Sequence, residues 1–467
     1  MNELFEFSQF LSNIAIKTDA GDEMTYAQLQ NDADELKSVL KKSSLAFCLC
    51  SNTIASIVGY VSFIQNNVAT VLLDANKDPE LLESLLKTYH PNYIWAPKGK
   101  VEGEILKEYK GYVLYHYSDQ VIPIYPELAL LLTTSGSTGS PKLVRLTQRN
   151  LRSNSESIAE YLHITALDRP VTSLPMYYSY GMSVINSHFI KGATLLLTGK
   201  TVFEKGFWDF VKDEHATSIA GVPYTYEMLK RLRFFKMELP YLKTMIQAGG
   251  KLNAAIVKEY VEYARTNSKE FIVMYGQTEA APRMSYLPFE KALEKYASIG
   301  IAIPGGRFCI RDVNDQEIET PDIDGELVYM GDNVCLGYAE TLDDLIKGDD
   351  NHGVLHTGDI ARKDSDGFYY ITGRMKRFVK IWGNRVNLDA VEQMLKPITT
   401  DCACIGEDDR ITVFVTNELL CSEIKSLLIE KTKLNLKAFN IVPIMEIPKK
   451  ESGKIDYSKL YELEKNA

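Results

Sequence analysis

Short apolar runs alternate with amphipathic stretches through the first two thirds of this chain, and that alternation limits its fold more than any other feature. The segment YAQLQNDADELKSVLK, 26–41, spaces its apolar residues near 3.6 and predicts a helix. Residues 68–73, VATVLL, read as a short buried strand ending at Asp74. A helical pattern follows over 78–89, and another apolar run over 93–96. Further strands are expected at 128–132, 194–197, 217–220, 244–247 and 271–274. Alternation of this kind builds a sheet covered by helices, an α/β fold. A length of 467 residues leaves room for two or three domains, and no internal repeat divides it.

After about residue 300 the texture changes. Gly300, Gly305, Gly306, Gly325, Gly331, Gly337, Gly353 and Gly358 punctuate short alternating strands such as 308–312 and 326–330. That is the pattern of a small β-rich subdomain, placed at about 300–372. The segment GRMKRFVKIWGNRVNLDAVEQMLK, 373–396, then opens a new unit with a charged turn, a short strand and a helix capped by Asn387 or Asp389. With the boundary in the turn 374–377, a large N-terminal domain of layered α/β sheets covers 1–375. A small α+β C-terminal domain covers 376–467.

Charge and cysteines exclude several classes. Lys and Arg number 52 against 62 Asp and Glu, a formal charge of −10. An acidic balance argues against a broad grip on nucleic acid or an anionic membrane. No apolar run approaches the ~20 residues that cross a bilayer. Glu3 and Glu6 stand where a secretion signal would carry positive charge. The 7 cysteines, Cys48, Cys50, Cys309, Cys335, Cys402, Cys404 and Cys421, contain no CxxC and read as reduced thiols. A cytoplasmic enzyme without a membrane span or a nucleic-acid partner is therefore expected. His352 and His356 lack the glutamate of a zinc-hydrolase helix, and neither G-x-G-x-x-G nor G-x-S-x-G occurs. Those gaps remove the sequence grounds for a dinucleotide oxidoreductase or a serine hydrolase.

The most informative segment is LLTTSGSTGSPKLVR, 131–145. A loop of Thr, Ser and Gly straight after an apolar strand offers hydroxyls and unobstructed N–H groups, which suit a polyphosphate. Lys142 adds a point charge. A Walker A loop would need a second glycine where Pro141 stands.

This segment, TSGSTGSPK (134–142), resembles the phosphate loop of the adenylate-forming superfamily, which includes acyl- and aryl-CoA synthetases, nonribosomal-peptide adenylation domains and luciferases. Further motifs of that family recur in order. LPMYYSYGM (174–182) is similar to its aromatic substrate gate, AGGKL (248–252) to its adenine-side turn and YGQTE (275–279) to its stacking and metal-binding motif. GELVYMGDNVCLGY (325–338) resembles its subdomain strand pair, HTGD (356–359) its ribose motif, 373–392 its hinge and PKKESGKIDY (448–457) its terminal lysine motif. The resemblance spans essentially the whole chain. Alone, a tyrosine after FIVM is a core residue, an aspartate closing a strand is a turn residue and a lysine in SGKID is a solvated side chain. Their joint order carries the reading.

The resemblance implies a role for each position. Thr134, Ser135, Gly136, Ser137, Thr138, Gly139 and Lys142 would wrap the β- and γ-phosphates of ATP. Gly249 and Gly250 would border adenine, with Tyr275 stacked on it and Gly276 and Gln277 beside it. Thr278 would bond the α-phosphate, Glu279 would hold Mg²⁺ and Asp359 would accept from both ribose hydroxyls. Arg374 would reach ribose or phosphate. Lys454, the catalytic lysine, would bridge the substrate carboxylate and the α-phosphate. The acyl pocket would involve Tyr177, Tyr178, Ser179, Tyr180, Met182, Tyr224 and Gly250. The C-terminal domain would turn about Lys376 between two half-reactions, bringing the strand near 380–383 to a thiol tunnel.

Some positions depart from the family pattern. Leu143 stands where glycine is common, and Gln148 replaces a histidine. Tyr178 occupies a place where many CoA ligases carry histidine. Ser179 falls where amino-acid-activating domains place an aspartate, which argues against an α-amino acid substrate. The expected activity is ATP- and Mg²⁺-dependent conversion of a carboxylic acid to an acyl-adenylate, then to a thioester with coenzyme A or a phosphopantetheine carrier protein. The alternatives are transfer to a non-thiol acceptor and a nucleotide-binding pseudoenzyme.

Overall fold

A computed structural model describes residues 3–133, 142–382, 384–399, 401–407, 409–432, 434–449 and 455–465. It forms two compact units, Met1–Arg307 with Tyr329–Leu355, and Phe308–Val328 with His356–Ala467.

The first unit is built on two large sheets. One has eight strands in the order Gly337–Ala339, Leu143–Thr147, Leu128–Thr133, Ala69–Asp74, Leu45–Cys50, Tyr93–Pro97, Tyr112–His116 and Glu104–Tyr109. The other has nine, ordered Ile301–Ala302, Arg283–Tyr286, Glu270–Gly276, Thr244–Gln247, Ser218–Gly221, Pro170–Val171, Leu195–Leu197, Ile14–Thr18 and Glu23–Thr25. Central pairs are parallel, such as Phe47 with Val71 and Ile246 with Ile272. Parallel strands need crossovers, and the helices Ile54–Gln65 and Ala254–Thr266 supply these for the two pairs.

Two helices are buried along almost their whole length. The helix Ile54–Gln65, IASIVGYVSFIQ, carries no charge, and a helix that is apolar all round belongs in a core. Thr53 caps it by accepting from the Ser56 N–H. At Gly59 a Cβ would lie 2.4 Å from the Trp95 ring, so only glycine lets the indole close on the helix. The indole then donates to the Ala55 carbonyl at 2.9 Å. The helix Ser179–Phe189 sends Met182, Ile185 and Phe189 into the same core, which also takes Ile16 and Leu195 from one sheet and Leu72 and Leu132 from the other.

Most predicted elements stand within a residue or two of their expected bounds. The first helix is shorter than its apolar pattern, ending at Lys37 with Ser38 as its C-cap. The hairpin of Glu104–Tyr109 and Tyr112–His116 has no counterpart in the sequence reading. Its first strand lies at the sheet edge and is largely exposed, so it lacks a run of apolar residues.

In the second unit a four-stranded sheet runs in the order Arg307–Arg311, Gly325–Met330, Val354–Lys363 and Tyr369–Arg374. Beyond it come the hairpin Phe378–Ile381 and Asn384–Asn387, then the helix Leu388–Leu395. Asn387 caps this helix, accepting from the N–H groups of Asp389 and Ala390. A three-stranded sheet, Cys402–Glu407, Arg410–Val415 and Phe439–Pro443, carries apolar clusters on both faces. Arg377 is held by Asp389 and Glu392 and lies 4.0 Å from the Tyr457 ring centroid, tying the charged turn to the last helix.

One buried histidine makes the first unit sensitive to acid. His188 Nδ1 donates to the Val184 carbonyl at 2.8 Å, and burial pushes the imidazole down from 6.5 to about 4. The unfolded chain therefore takes up a proton that the folded chain refuses, and stability falls as pH drops below about 6.5. At about pH 5 the loss is on the order of 2 kcal/mol. Urea midpoints at pH 7 and pH 5 should converge in His188→Asn relative to the parent. An equal acid loss in both proteins would refute this.

Candidate active site

In the first unit the motif residues gather at the carboxyl ends of adjacent parallel strands, the edge where open α/β sheets bind ligands. Thr244–Gln247 runs into Ala248, Gly249 and Gly250. Gly249 has φ +83°, and a Cβ there would lie 2.8 Å from the Tyr178 hydroxyl. Both facts require glycine. The buried Gln247 fixes the turn from below, donating from Nε2 to the Gly250 carbonyl at 2.9 Å.

The neighbouring strand, Glu270–Gly276, ends on Tyr275 and Gly276. At Gly276 a Cβ would meet the Pro282 carbonyl oxygen at 2.0 Å, so the returning chain packs directly on it. Gln277 donates to the Tyr275 hydroxyl at 3.3 Å, and Thr278–Ala280 forms one short turn.

The gate segment meets this turn. Tyr178 precedes the helix Ser179–Phe189, and burial pushes its phenol upward. Ser179 Oγ lies 3.1 Å from Thr278 Oγ1. Tyr180 and Met182 are buried; the Tyr180 hydroxyl donates to the Ile246 carbonyl. Tyr224 sits in the helix Pro223–Arg231, exposed, with its ring 6.2 Å from that of Phe203.

Glu279 lies beside a cluster that the motif reading did not resolve. Tyr338 donates to Glu279 Oε1 at 2.7 Å. Lys142 Nζ is 5.5 Å from the Tyr338 ring centroid and pairs with Glu340 at 2.5 Å. Burial, and then the Glu279 charge, push the Tyr338 phenol far up, so it stays a proton donor. Among the described residues Glu279 Oε2 has no hydrogen-bond partner. One half-exposed carboxylate with a spare oxygen fits Mg²⁺, which takes one or two carboxylates plus phosphate oxygens. Tyr338 closes the quoted segment 325–338, but its pairing with Glu279 spans 59 residues and has no local signal.

Strands Leu128–Thr133 and Leu143–Thr147 pair antiparallel, with Thr133 opposite Leu143. The loop candidates Thr134, Ser135, Gly136, Ser137, Thr138 and Gly139 lie outside the described residues, as does Lys454.

Within the second unit, Asp359 is buried and sits opposite Arg374 in the strand pair. Arg374 Nε donates to Asp359 Oδ1 at 3.2 Å. The HTGD segment is anchored on the adjacent strand. Thr357 donates to the Leu327 carbonyl, and Glu326 takes His356 Nδ1 at 3.0 Å and the Gly358 N–H at 3.3 Å. Lys376 lies in the short turn Met375–Arg377.

One edge of the parallel sheet thus carries the turn at Gly249 and Gly250, the segment Tyr275–Glu279 and the serine-bearing helix Ser179–Phe189. The chain matches the AMP-binding enzyme family model over residues 7–339 and belongs to that family. It is 29% identical over 296 residues to a feruloyl-CoA synthase of Amycolatopsis sp, covering 61% of this chain and 57% of that one. It is 28% identical over 368 residues to a long-chain-fatty-acid–CoA ligase of Escherichia coli O157:H7, covering 74% and 63%. The chain thus spans less than two thirds of the length of these curated relatives. Its fold matches O-succinylbenzoate coenzyme A synthetase from Bacillus subtilis in complex with AMP, with TM-score 0.80 at 20% identity over 98% of both chains. Among the described residues no helix is long and apolar enough to cross a membrane.

Proposed function

We propose that this chain is an ATP-dependent acid–thiol ligase that makes an acyl-adenylate and passes the acyl group to coenzyme A. The observation that carries the reading is the Ser179–Thr278 contact at 3.1 Å, next to a Glu279 with an unengaged oxygen. It supports reading the helix Ser179–Phe189 as acid-facing, Thr278 as a phosphate-binding hydroxyl and Glu279 as a cation ligand. The names of the curated relatives, a CoA synthase and a CoA ligase, support coenzyme A as acceptor. They cover feruloyl and long-chain acids and so leave the acid open.

In the first half-reaction a carboxylate oxygen bonds to the α-phosphorus of ATP, and the bond to pyrophosphate breaks. Thr278 orients the α-phosphate by hydrogen bonding, Tyr275 stacks on adenine and Gly249 and Gly250 let the base approach the backbone. Gly276 and Gln277 hold the turn that presents them. Lys142 and the loop 134–139 take the outer phosphates, and Asp359 takes the ribose hydroxyls with Arg374 beside it. Lys454 offsets repulsion between the two reacting anions. Mg²⁺, when bound, neutralises phosphate charge, and Glu279 is the residue that holds it. In the second half-reaction a thiolate attacks the adenylate carbonyl and AMP leaves, with a hinge at Lys376 between the steps. A phosphopantetheine carrier protein would present the same thiol chemistry.

Carboxylate-dependent exchange of labelled pyrophosphate into ATP tests the first half-reaction across a panel of acids. Exchange is expected with at least one acid and is expected to vanish in Lys454→Ala. Equal exchange with and without every acid would overturn the reading.

A further inference from the structure

Arg283 opens the strand Arg283–Tyr286 directly opposite Gly276, and it is 2% exposed. Its guanidinium has only neutral partners. Nε donates to Ser183 Oγ at 3.1 Å, and Nη1 donates to the Tyr161 hydroxyl and the Met274 sulfur, each at 3.3 Å. The Tyr180 ring centroid is 5.2 Å from Cζ. Nη2 is buried with no hydrogen-bond partner among the described residues. Among the described residues no carboxylate comes within ion-pair distance of it.

A guanidinium does not lose its proton to escape burial. Holding one in the interior without a counter-ion is strongly unfavourable, and an unpaired donor adds to that. The neighbours do not need the charge. Tyr161 already donates to Met274 Sδ, and Ser183 to the Tyr180 carbonyl. A ligand acceptor at Nη2 would satisfy the open donor and compensate the charge.

Position says which ligand. Ser179 and Ser183 lie one turn apart on the same face of the helix Ser179–Phe189, about 6 Å along its axis. Ser179, on the helix read as acid-facing under the proposed function, meets Thr278, which is assigned the α-phosphate that the acid attacks; Ser183 meets Arg283. The line Thr278, Ser179, Ser183, Arg283 thus runs from the reacting end to an uncompensated positive charge.

The geometry points to a dicarboxylic acid as substrate, with its second carboxylate accepting from Arg283 Nη2 about one helical turn from the carboxylate that is adenylated. This inference rests on the adenylate-forming reading and names the substrate class for that site. The guanidinium fork suits a carboxylate, and a site built around such a donor discriminates strongly against analogues lacking the acceptor.

The test compares aliphatic and aromatic diacids with the monoacids that match them in length, by pyrophosphate exchange and by calorimetric binding. The parent protein is expected to favour the best diacid over its matched monoacid by at least about 100-fold in kcat/KM. In Arg283→Met that ratio should collapse towards one, while the variant melts no lower than the parent because an isolated buried charge has been removed. Arg283→Lys should keep part of the preference. A parent that takes monoacids as well as diacids overturns the inference, and this outcome needs no variant. So does an Arg283→Met that loses both acids alike and melts lower, which marks a structural arginine. If no acid supports exchange, the adenylation reading fails by itself. Calorimetry then decides the inference: diacid binding weakened at least tenfold by Arg283→Met sustains it, and unchanged or absent binding overturns it.

Discussion

Glu279→Gln is expected to lower the rate of pyrophosphate exchange by about 10²–10³-fold with little change in thermal stability. The substitution keeps the shape of the side chain and its hydrogen bond from Tyr338, so the fold should be indifferent to it. What it removes is the negative charge on the half-exposed oxygen. A neutral amide oxygen is a weak ligand for a hard divalent cation, so the Mg²⁺ requirement should rise as the rate falls. Tyr338→Phe separates orientation from charge. It leaves the carboxylate intact and deletes the donor at 2.7 Å, so a smaller loss of about 10-fold is expected. Exchange rates measured against Mg²⁺ concentration check both variants. A Glu279→Gln protein with parental rates at ordinary Mg²⁺ would remove Glu279 from the reaction.

Arg145→Leu is expected to destabilise the first unit by about 3–5 kcal/mol. The Arg145 side chain is fully buried, and its strand pairs with Gly337–Ala339. The guanidinium donates to the carbonyls of Leu336 and Tyr338 at 3.0 Å, to those of Lys347 and Gly348, and to the Asp350 carboxylate at 2.5 Å. One side chain therefore satisfies a whole returning segment, 336–350. Leucine would leave four carbonyls without that donor and Asp350 without its charge partner. Gly337, at φ +119°, belongs to the same construction, since a Cβ would come within 2.6 Å of the Asp350 carboxylate. Because Tyr338 sits on this segment, the variant should also need more Mg²⁺. Urea unfolding measures the first effect; a loss below about 1 kcal/mol would show that the segment is held by other contacts.

How much of this was legible beforehand follows from the range of each interaction. The strands 244–247 and 271–274 and the helices 26–41 and 78–89 are written in local periodicity, and the structure moves their ends by a few residues at most. The edge hairpin escaped because its outer strand is exposed and has no apolar signature. At the site, YGQTE and AGGKL were visible through their resemblance to family motifs, and the structure adds why glycine stands there: Gly249 for its dihedral, Gly276 for the carbonyl packed on it.

Pairings between distant segments were not visible. Arg145, Arg283 and Tyr338 each look like ordinary strand residues in the sequence. Only folding brings Tyr338 to Glu279 and Arg145 to Asp350, and leaves Arg283 without a carboxylate among the described residues. The amino-acid order alone set the element types and the strand–helix alternation, since these depend on neighbours a few positions apart. Which charges are compensated was decided by the tertiary structure. Burial and pairing are properties of chain segments that meet in space, and no local pattern encodes that meeting.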